Sequence, residues 1–256
     1  MTEISSLERA AASELPLLLL DFDGTVCLGD GPVVAYAEAA AERMPAAARG
    51  GLIDGLERFL ANHPGSPAHK DGYAAVATLT ADYLDTEELN SAYTQSRERI
   101  AAGGIEISAA PGLHDFLAGL AGRAFRVLLT NAPRTGISES LAELGLTDVL
   151  DGIIAQAAKP AGFHRLLPQL LKNRAAEEVL SVGDVWVNDI DLPGRFGCAT
   201  AFIDRFNHRT GPANLHAASF DQLYPGIGEW AQNPRTFQQN HPATPVTATM
   251  NVEATL

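Results

Sequence analysis

Asp21 and Asp23 stand two residues apart, directly after four consecutive leucines (Leu17–Leu20) and directly before Gly24 and Thr25. In an extended chain, side chains two apart point the same way, so both carboxylates share one small volume while Phe22 turns away into packing. Like charges that close stay ionised together only with a cation between them; otherwise one keeps its proton, and each solution is useful chemistry. Gly24 lets the backbone approach a ligand closely. A lone Asp-Gly also closes strands as an Asx-turn, but a second acid two residues earlier favours a functional site.

The leucine run is short and bounded by polar residues, which reads as a strand buried on both faces of a parallel sheet. Open α/β sheets bind ligands just beyond the carboxyl ends of their strands, where the two acids fall. Three later stretches have the same form. Phe125–Asn131 is an apolar run ending in Thr130 and Asn131; Gly152–Ala155 precedes Lys159 and Pro160; Glu178–Asp184 ends in an acid, with Asp189 five residues on. Thr200–Asp204 is one more strand. Helices are expected from Leu113 to Leu120, from Ile137 to a stop at Gly145, from Phe163 to Leu171 with Pro168 kinking or shortening it, and from Ser219 to Trp230.

Between the first and second strands the pattern changes. Val33–Met44, Gly51–Ala61, Tyr73–Leu84 and Thr86–Ala102 are helically periodic with no strand-like run between them. They form a small bundle inserted into an α/β domain. Residues 1–14 read as a short helix or a frayed end. The segment after residue 232, rich in Pro, Thr, Asn and Gln, reads as a tail that wanders in solvent, docks on its own core or reaches a neighbour.

Asp21-Phe22-Asp23-Gly24-Thr25 resembles the first motif of the haloacid dehalogenase (HAD) superfamily, most of whose members are magnesium-dependent phosphatases. Thr130 at its strand end, Lys159 before a helix-opening proline, and Gly183-Asp184 with Asp189 resemble the second, third and fourth motifs, in the same order. Gly162 stands where the family often has a second proline, and Val185 where it commonly has a small hydroxyl residue. The resemblance implies a doubly wound, mainly parallel Rossmann-like sheet formed by residues 1–30 and 106–230. It places an inserted α-helical cap domain at 31–105, with residues 231–256 as a C-terminal tail.

It further implies Asp21 as nucleophile, forming an aspartyl-phosphate, and Asp23 as general acid and base. Gly24, Thr130, Asn131 and Lys159 would hold the phosphate, with the amides of Asn131 and Ala132 as further donors. Mg²⁺ would be held by Asp21, the backbone carbonyl of Asp23, and Asp184. Asp189 would hold a metal-bound water or orient Lys159. Superfamily dehalogenases lack an acid at the position of Asp23, so phosphoryl transfer is favoured. A sugar phosphomutase uses the same motifs, but the histidine that restrains hydrolysis in β-phosphoglucomutase-like mutases is replaced by Val33. A protein that binds a phosphorylated ligand without turnover is the third reading.

The chain has 256 residues and a net charge of −13, which argues against nucleic-acid and anionic-membrane surfaces. Cys27 and Cys198 form no disulfide framework or zinc spacing, so a reducing, cytoplasmic setting is expected. The apolar run Leu15–Leu20 is too short to span a membrane and follows Glu3, Glu8 and Glu14 rather than a basic segment. The expected partner is a small phosphorylated metabolite. Within the insert, the loop His63–Tyr73, with His69, Lys70 and Tyr73, is the most polar candidate to meet its leaving group. Arg205, His208 and Arg209 form either a basic rim or a solvated loop, and Trp186 either narrows the pocket or packs.

Overall fold

The computed structural model describes residues 5–244. Its centre is a sheet of six strands: β1 (Leu17–Leu20), β2 (Phe125–Leu129), β3 (Gly152–Ile154), β4 (Val179–Gly183), β5 (Ala199–Ile203) and β6 (Leu215–Ala217). They lie in the order β3-β2-β1-β4-β5-β6, every neighbouring pair parallel. Leu17–Leu20 pair with Phe125–Leu128 on one side and Val179–Val182 on the other. Strand β1 is therefore central, and its leucines are buried on both faces.

Alternation along β1 divides the core. Leu18 and Leu20, followed by Phe22, pack with α6 (Leu113–Gly119), α7 (Ile137–Glu143) and α11 (Tyr224–Gln232). Leu17 and Leu19 pack on the opposite face with Phe163, Leu166 and Leu167 of α8 (Phe163–Leu170) and Ala10 of α1 (Ser6–Ala12). Phe22 thus continues one apolar stripe, and Asp21 emerges where the other one stops. The first residues of the described chain are a formed helix: Ser5 accepts from the Glu8 amide at 3.2 Å, and Glu8 accepts from the Ser5 amide at 2.8 Å, a reciprocal cap that satisfies two end donors.

The expected insert is a helical bundle with its own core. Helices α2 (Gly31–Ala41), α3 (Ala46–Leu60), α4 (Gly72–Leu79) and α5 (Thr86–Ala101) surround Tyr36, Ala37, Ala40, Leu52, Leu56, Phe59 and Val76. Asp85 caps α5 by accepting from Glu88 while Glu88 returns the bond, both at 2.9 Å. The two chain segments joining bundle and sheet run side by side. Leu28 and Ser108 exchange backbone hydrogen bonds of 2.7 and 2.9 Å, forming an antiparallel bridge.

Several elements differ from expectation. Helix α8 includes Pro168 and ends at Leu170, two residues beyond it. Two short helices, α9 (Trp186–Asp189) and α10 (Asp191–Arg195), follow β4. Strand β6 adds an edge that its three residues, Leu-His-Ala, did not announce. Residues 234–240, read as tail, form helix α12 (Pro234–Asn240), capped by the Asn233 side chain at 3.0 Å from the Thr236 amide. Residues 245–256 lie outside the described residues. No helix of the described residues is long and apolar enough to cross a membrane.

Phe237 anchors α12 to the face formed by α6, α7 and α11 and is 2% exposed. Replacing it with alanine should cost about 3–5 kcal/mol of unfolding free energy, read from urea denaturation. A loss below about 0.5 kcal/mol is what a solvated segment would give.

Candidate active site

The ends of β1, β2 and β4, and the loop after β3, converge on one cavity of about 350 Å³. Asp21, whose amide still donates to Val182 at 3.0 Å, is one residue past β1; Thr130 is one past β2; Asp184 is one past β4. Asp21, Asp23, Gly24, Thr130, Asn131, Lys159, Asp184 and Asp189 all line it. The parallel register therefore assembles eight positions drawn from four separate stretches of sequence.

Lys159 is the centre of this assembly. Its ammonium is 2.7 Å from Asp21 Oδ1 and 2.6 Å from Asp189 Oδ1, and its side chain is only 3% exposed. Burial works against this charge, but Asp189 and Asp21 outweigh it and hold the lysine above its ordinary range. The loop carrying it is fixed from both ends. Ala157 donates to the Thr130 carbonyl at 2.9 Å, and Asn131 clamps the Lys159 backbone, accepting from its amide at 2.6 Å and donating to its carbonyl at 2.9 Å. The loop turns tightly enough that a Cβ at Gly162 would collide with the Ala157 carbonyl. No other residue type fits there without a shift of backbone.

Asp189 is held in the same deliberate way. The Val185 amide donates to its Oδ2 at 3.1 Å, and its carbonyl accepts from Ser181 Oγ at 2.7 Å. A Cβ at Gly183 would occupy the space of its carboxylate. Gly24 has a related purpose: its φ of +84° is left-handed, and a Cβ there would collide with the Asp184 carboxylate. The glycine makes room for an acid as well as for any ligand.

Asp21, Asp184 and Asp189 each bring a carboxylate oxygen to within 4.8 Å of the other two. Asp184 Oδ1 is buried and has no hydrogen-bond partner. Burial, then the nearby Asp21 and Asp189 charges, pushes its carboxyl well above the usual range. Hard oxygen donors, crowded negative charge and an orphaned buried oxygen together fit a divalent cation such as Mg²⁺. Asp23 lies outside this cluster. Its carboxyl faces the Arg97 guanidinium at 3.6 Å, and burial, opposed by Arg97 and reinforced by Asp21, pushes it up to about 6.

Thr130 Oγ1 accepts from the Ala132 amide at 3.0 Å. That amide is already engaged, which corrects the expectation that it serves as a free donor, while the hydroxyl proton of Thr130 remains to be given. Of the residues expected to meet a leaving group, Lys70 and Tyr73 line the cavity, whereas His69 packs against Phe59 with ring centroids 5.4 Å apart. Arg205 lines it too and pairs with Asp30 at 2.9 Å. Trp186 does not line it; its Nε1 donates to the Pro212 carbonyl at 3.1 Å, and its ring lies over Gly211. Cys27 lines the wall, its thiol pushed up to about 12 by burial.

Arg97, Tyr36 and Tyr93 were missed. Tyr36, Tyr73 and Tyr93 form one cluster, with ring centroids 5.7 to 5.8 Å apart, on the bundle side of the cavity. The signal for Arg97 was present: Leu89, Tyr93, Arg97 and Ile100 fall on one helical stripe, and an arginine on an otherwise apolar stripe is a charge with a buried task.

No curated protein matches the sequence. Solved structures share the fold at low identity. The HAD hydrolase YfnB from Bacillus subtilis, bound to magnesium, superposes with a TM-score of 0.57 at 15% identity, covering 83% of this chain and 98% of that one. A predicted phosphoglycolate phosphatase from Haemophilus somnus 129PT gives 0.53 at 16% identity, covering 84% and 98%. A β-phosphoglucomutase from Clostridium difficile gives 0.50 at 16%, covering 87% and 99%. The family model for haloacid dehalogenase-like hydrolases matches residues 15–196, most of the chain and all the converging strand ends, and the protein therefore belongs to the haloacid dehalogenase-like hydrolase family.

Proposed function

We propose that this hydrolase is a Mg²⁺-dependent phosphatase that cleaves small organic phosphate monoesters through an aspartyl-phosphate on Asp21. The observation that carries the reading is Asp23, an acid that burial raises to about 6, close enough to neutral pH to give and take a proton, in the same cavity as Asp21. A displacement at carbon that expels halide needs no such proton donor. An alkoxide leaving from phosphorus does.

Asp21 attacks phosphorus in line; its new bond to phosphorus forms as the ester bond breaks, and Asp23 gives its proton to the departing oxygen. Asp23, now a carboxylate, takes a proton from the water that attacks the phosphoenzyme. Phosphate leaves and Asp21 is restored. Lys159, already 2.7 Å from Asp21, neutralises charge between nucleophile and phosphate, and the Thr130 hydroxyl and Asn131 amide donate to phosphate oxygens. Mg²⁺ would be held by Asp21, Asp184 and the Asp23 carbonyl, with Asp189 orienting Lys159, and when bound it offsets the repulsion between anionic nucleophile and anionic substrate. The helical insert acts as the cap that excludes water.

The cavity volume of about 350 Å³ suits a small metabolite. A mutase would need a polar group that holds water back, and the Val33 side chain in the cavity wall offers none. Cys27 and Cys198 are free and buried, which suits a reducing, cytoplasmic setting.

Release of phosphate from a panel of monoesters should require Mg²⁺ and stop with excess chelator or with Asp21→Asn; turnover that persists in chelator would sink the reading. Lys159→Met should lower kcat by about 100- to 1000-fold, measured at saturating substrate. Gly24→Ala should raise the Mg²⁺ concentration for half-maximal activity by roughly 10- to 100-fold, because the added methyl displaces Asp184. An unchanged Mg²⁺ titration would show that Asp184 is not a ligand.

A further inference from the structure

Two cations serve the carboxylates of this site, from opposite sides. Lys159 is paired with Asp21 and Asp189. Asp23 has a different one, Arg97, which comes from α5 of the insert rather than from the sheet. Arg97 is 1% exposed, and Asp23 supplies the only carboxylate within 4.0 Å of it among the described residues. A guanidinium this deeply buried is costly unless its charge has an assigned partner.

The core provides a fitted seat for it. Arg97 Nε donates to the Thr135 carbonyl at 3.4 Å, and its guanidinium stands 5.8 Å from the centroid of the Phe22 ring, between the two acids in sequence. Gly136, at φ +80°, lies under the Arg97 backbone; a Cβ there would be 3.1 Å from the Arg97 carbonyl oxygen. The core thus receives one residue of the insert, Thr135 and Phe22 meeting its side chain and Gly136 its backbone. Arg97 can reach Asp23 only when α5 is docked on the core, against the Thr135–Gly136 turn that leads into α7.

The spacing is informative as well. At 3.6 Å the pair attracts electrostatically but makes no hydrogen bond, and both Asp23 Oδ1 and the two terminal nitrogens of Arg97 are otherwise unpartnered. The arginine therefore fixes where the carboxyl lies without occupying the oxygen that must carry a proton to the substrate. We propose that Arg97 is a positioning residue: docking of the insert sets Asp23 on the leaving-group side, and proton delivery to the departing oxygen depends on that docking. The inference rests on the assignment of Asp23 as general acid. The step itself is balanced as above, one proton moving from Asp23 to the ester oxygen as its bond to phosphorus breaks.

The test compares leaving groups in single turnovers of the full chain with Mg²⁺, reading the alcohol or phenol released in the first step. One substrate is p-nitrophenyl phosphate, whose phenolate departs unprotonated. The other is whichever of glycerol phosphate, glycolate phosphate and a hexose phosphate the unaltered protein cleaves fastest. Arg97→Met should slow the alkyl ester about 100-fold and p-nitrophenyl phosphate by less than about 3-fold, with Arg97→Lys recovering most of the loss. A thermal melt checks that each variant folds, and Arg97→Gln carries the same comparison if Arg97→Met does not fold. Equal slowing of both substrates, or no slowing, overturns the proposal. Asp23→Asn separates the two levels: if it is selective for the alkyl ester and the Arg97 variants are not, only the role of Arg97 falls. If Asp23→Asn slows both esters equally, or no ester is cleaved, the assignment of Asp23 falls and this inference with it.

Discussion

One ammonium group shared between two buried carboxylates is the contact on which the rest of this site depends. Lys159 bridges Asp21 and Asp189 at 2.7 and 2.6 Å, which ties the end of β1 to the helix after β4 through a residue supplied by the loop after β3. Removing the lysine would leave two acids crowded against a third with no protein cation among them. The glycines around it follow from the same requirement. Gly183 clears space for Asp189, Gly24 for Asp184, and Gly162 lets the lysine loop close on itself. Side-chain volume is sacrificed wherever a carboxylate or its cation must enter.

The division of charge between the two sides gives the cavity an internal direction. On the sheet side are three carboxylates, one lysine and the Thr130 and Asn131 strand end. On the bundle side are Asp23 with Arg97, then three tyrosine rings and the aliphatic side chains of Val33, Leu60 and Leu89. The polar end comes from backbone positions set by β-register, which are hard to vary independently. The apolar end comes from helix faces, where a residue can change without disturbing the sheet.

Much of this arrangement was legible because its determinants are local. Short, mostly apolar runs such as Leu17–Leu20 and Val179–Gly183 have one good solution, a strand buried on both faces, and the polar residue that ends each run falls at the carboxyl edge of the sheet. Period-two alternation correctly separated Phe22 from the two acids. What escaped notice depends on tertiary partners. Strand β6 is three partly buried residues at an edge, and α12 is a polar helix held through one phenylalanine. Helix α5 was foreseen, but its buried arginine was not, because reading a helix as a unit conceals a charge within its apolar stripe. Gly24 was read as an opening for ligand, although the immediate reason for glycine there is the Asp184 carboxylate behind it.

The bridge between Leu28 and Ser108 places the exit and the return of the bundle at the same point on the sheet. Topologically, everything between them is one long loop whose ends are already tied. Closure entropy grows only with the logarithm of loop length, about 0.6 kcal/mol for each doubling. The sheet therefore registers little of how much chain lies beyond the tie or how it is folded. A lineage can rebuild the chamber that receives the substrate, by insertion, deletion or repacking of helices, while the strands that carry Asp21, Lys159 and Asp184 keep their register. Turnover of specificity and constancy of chemistry are in this way separated by two backbone hydrogen bonds.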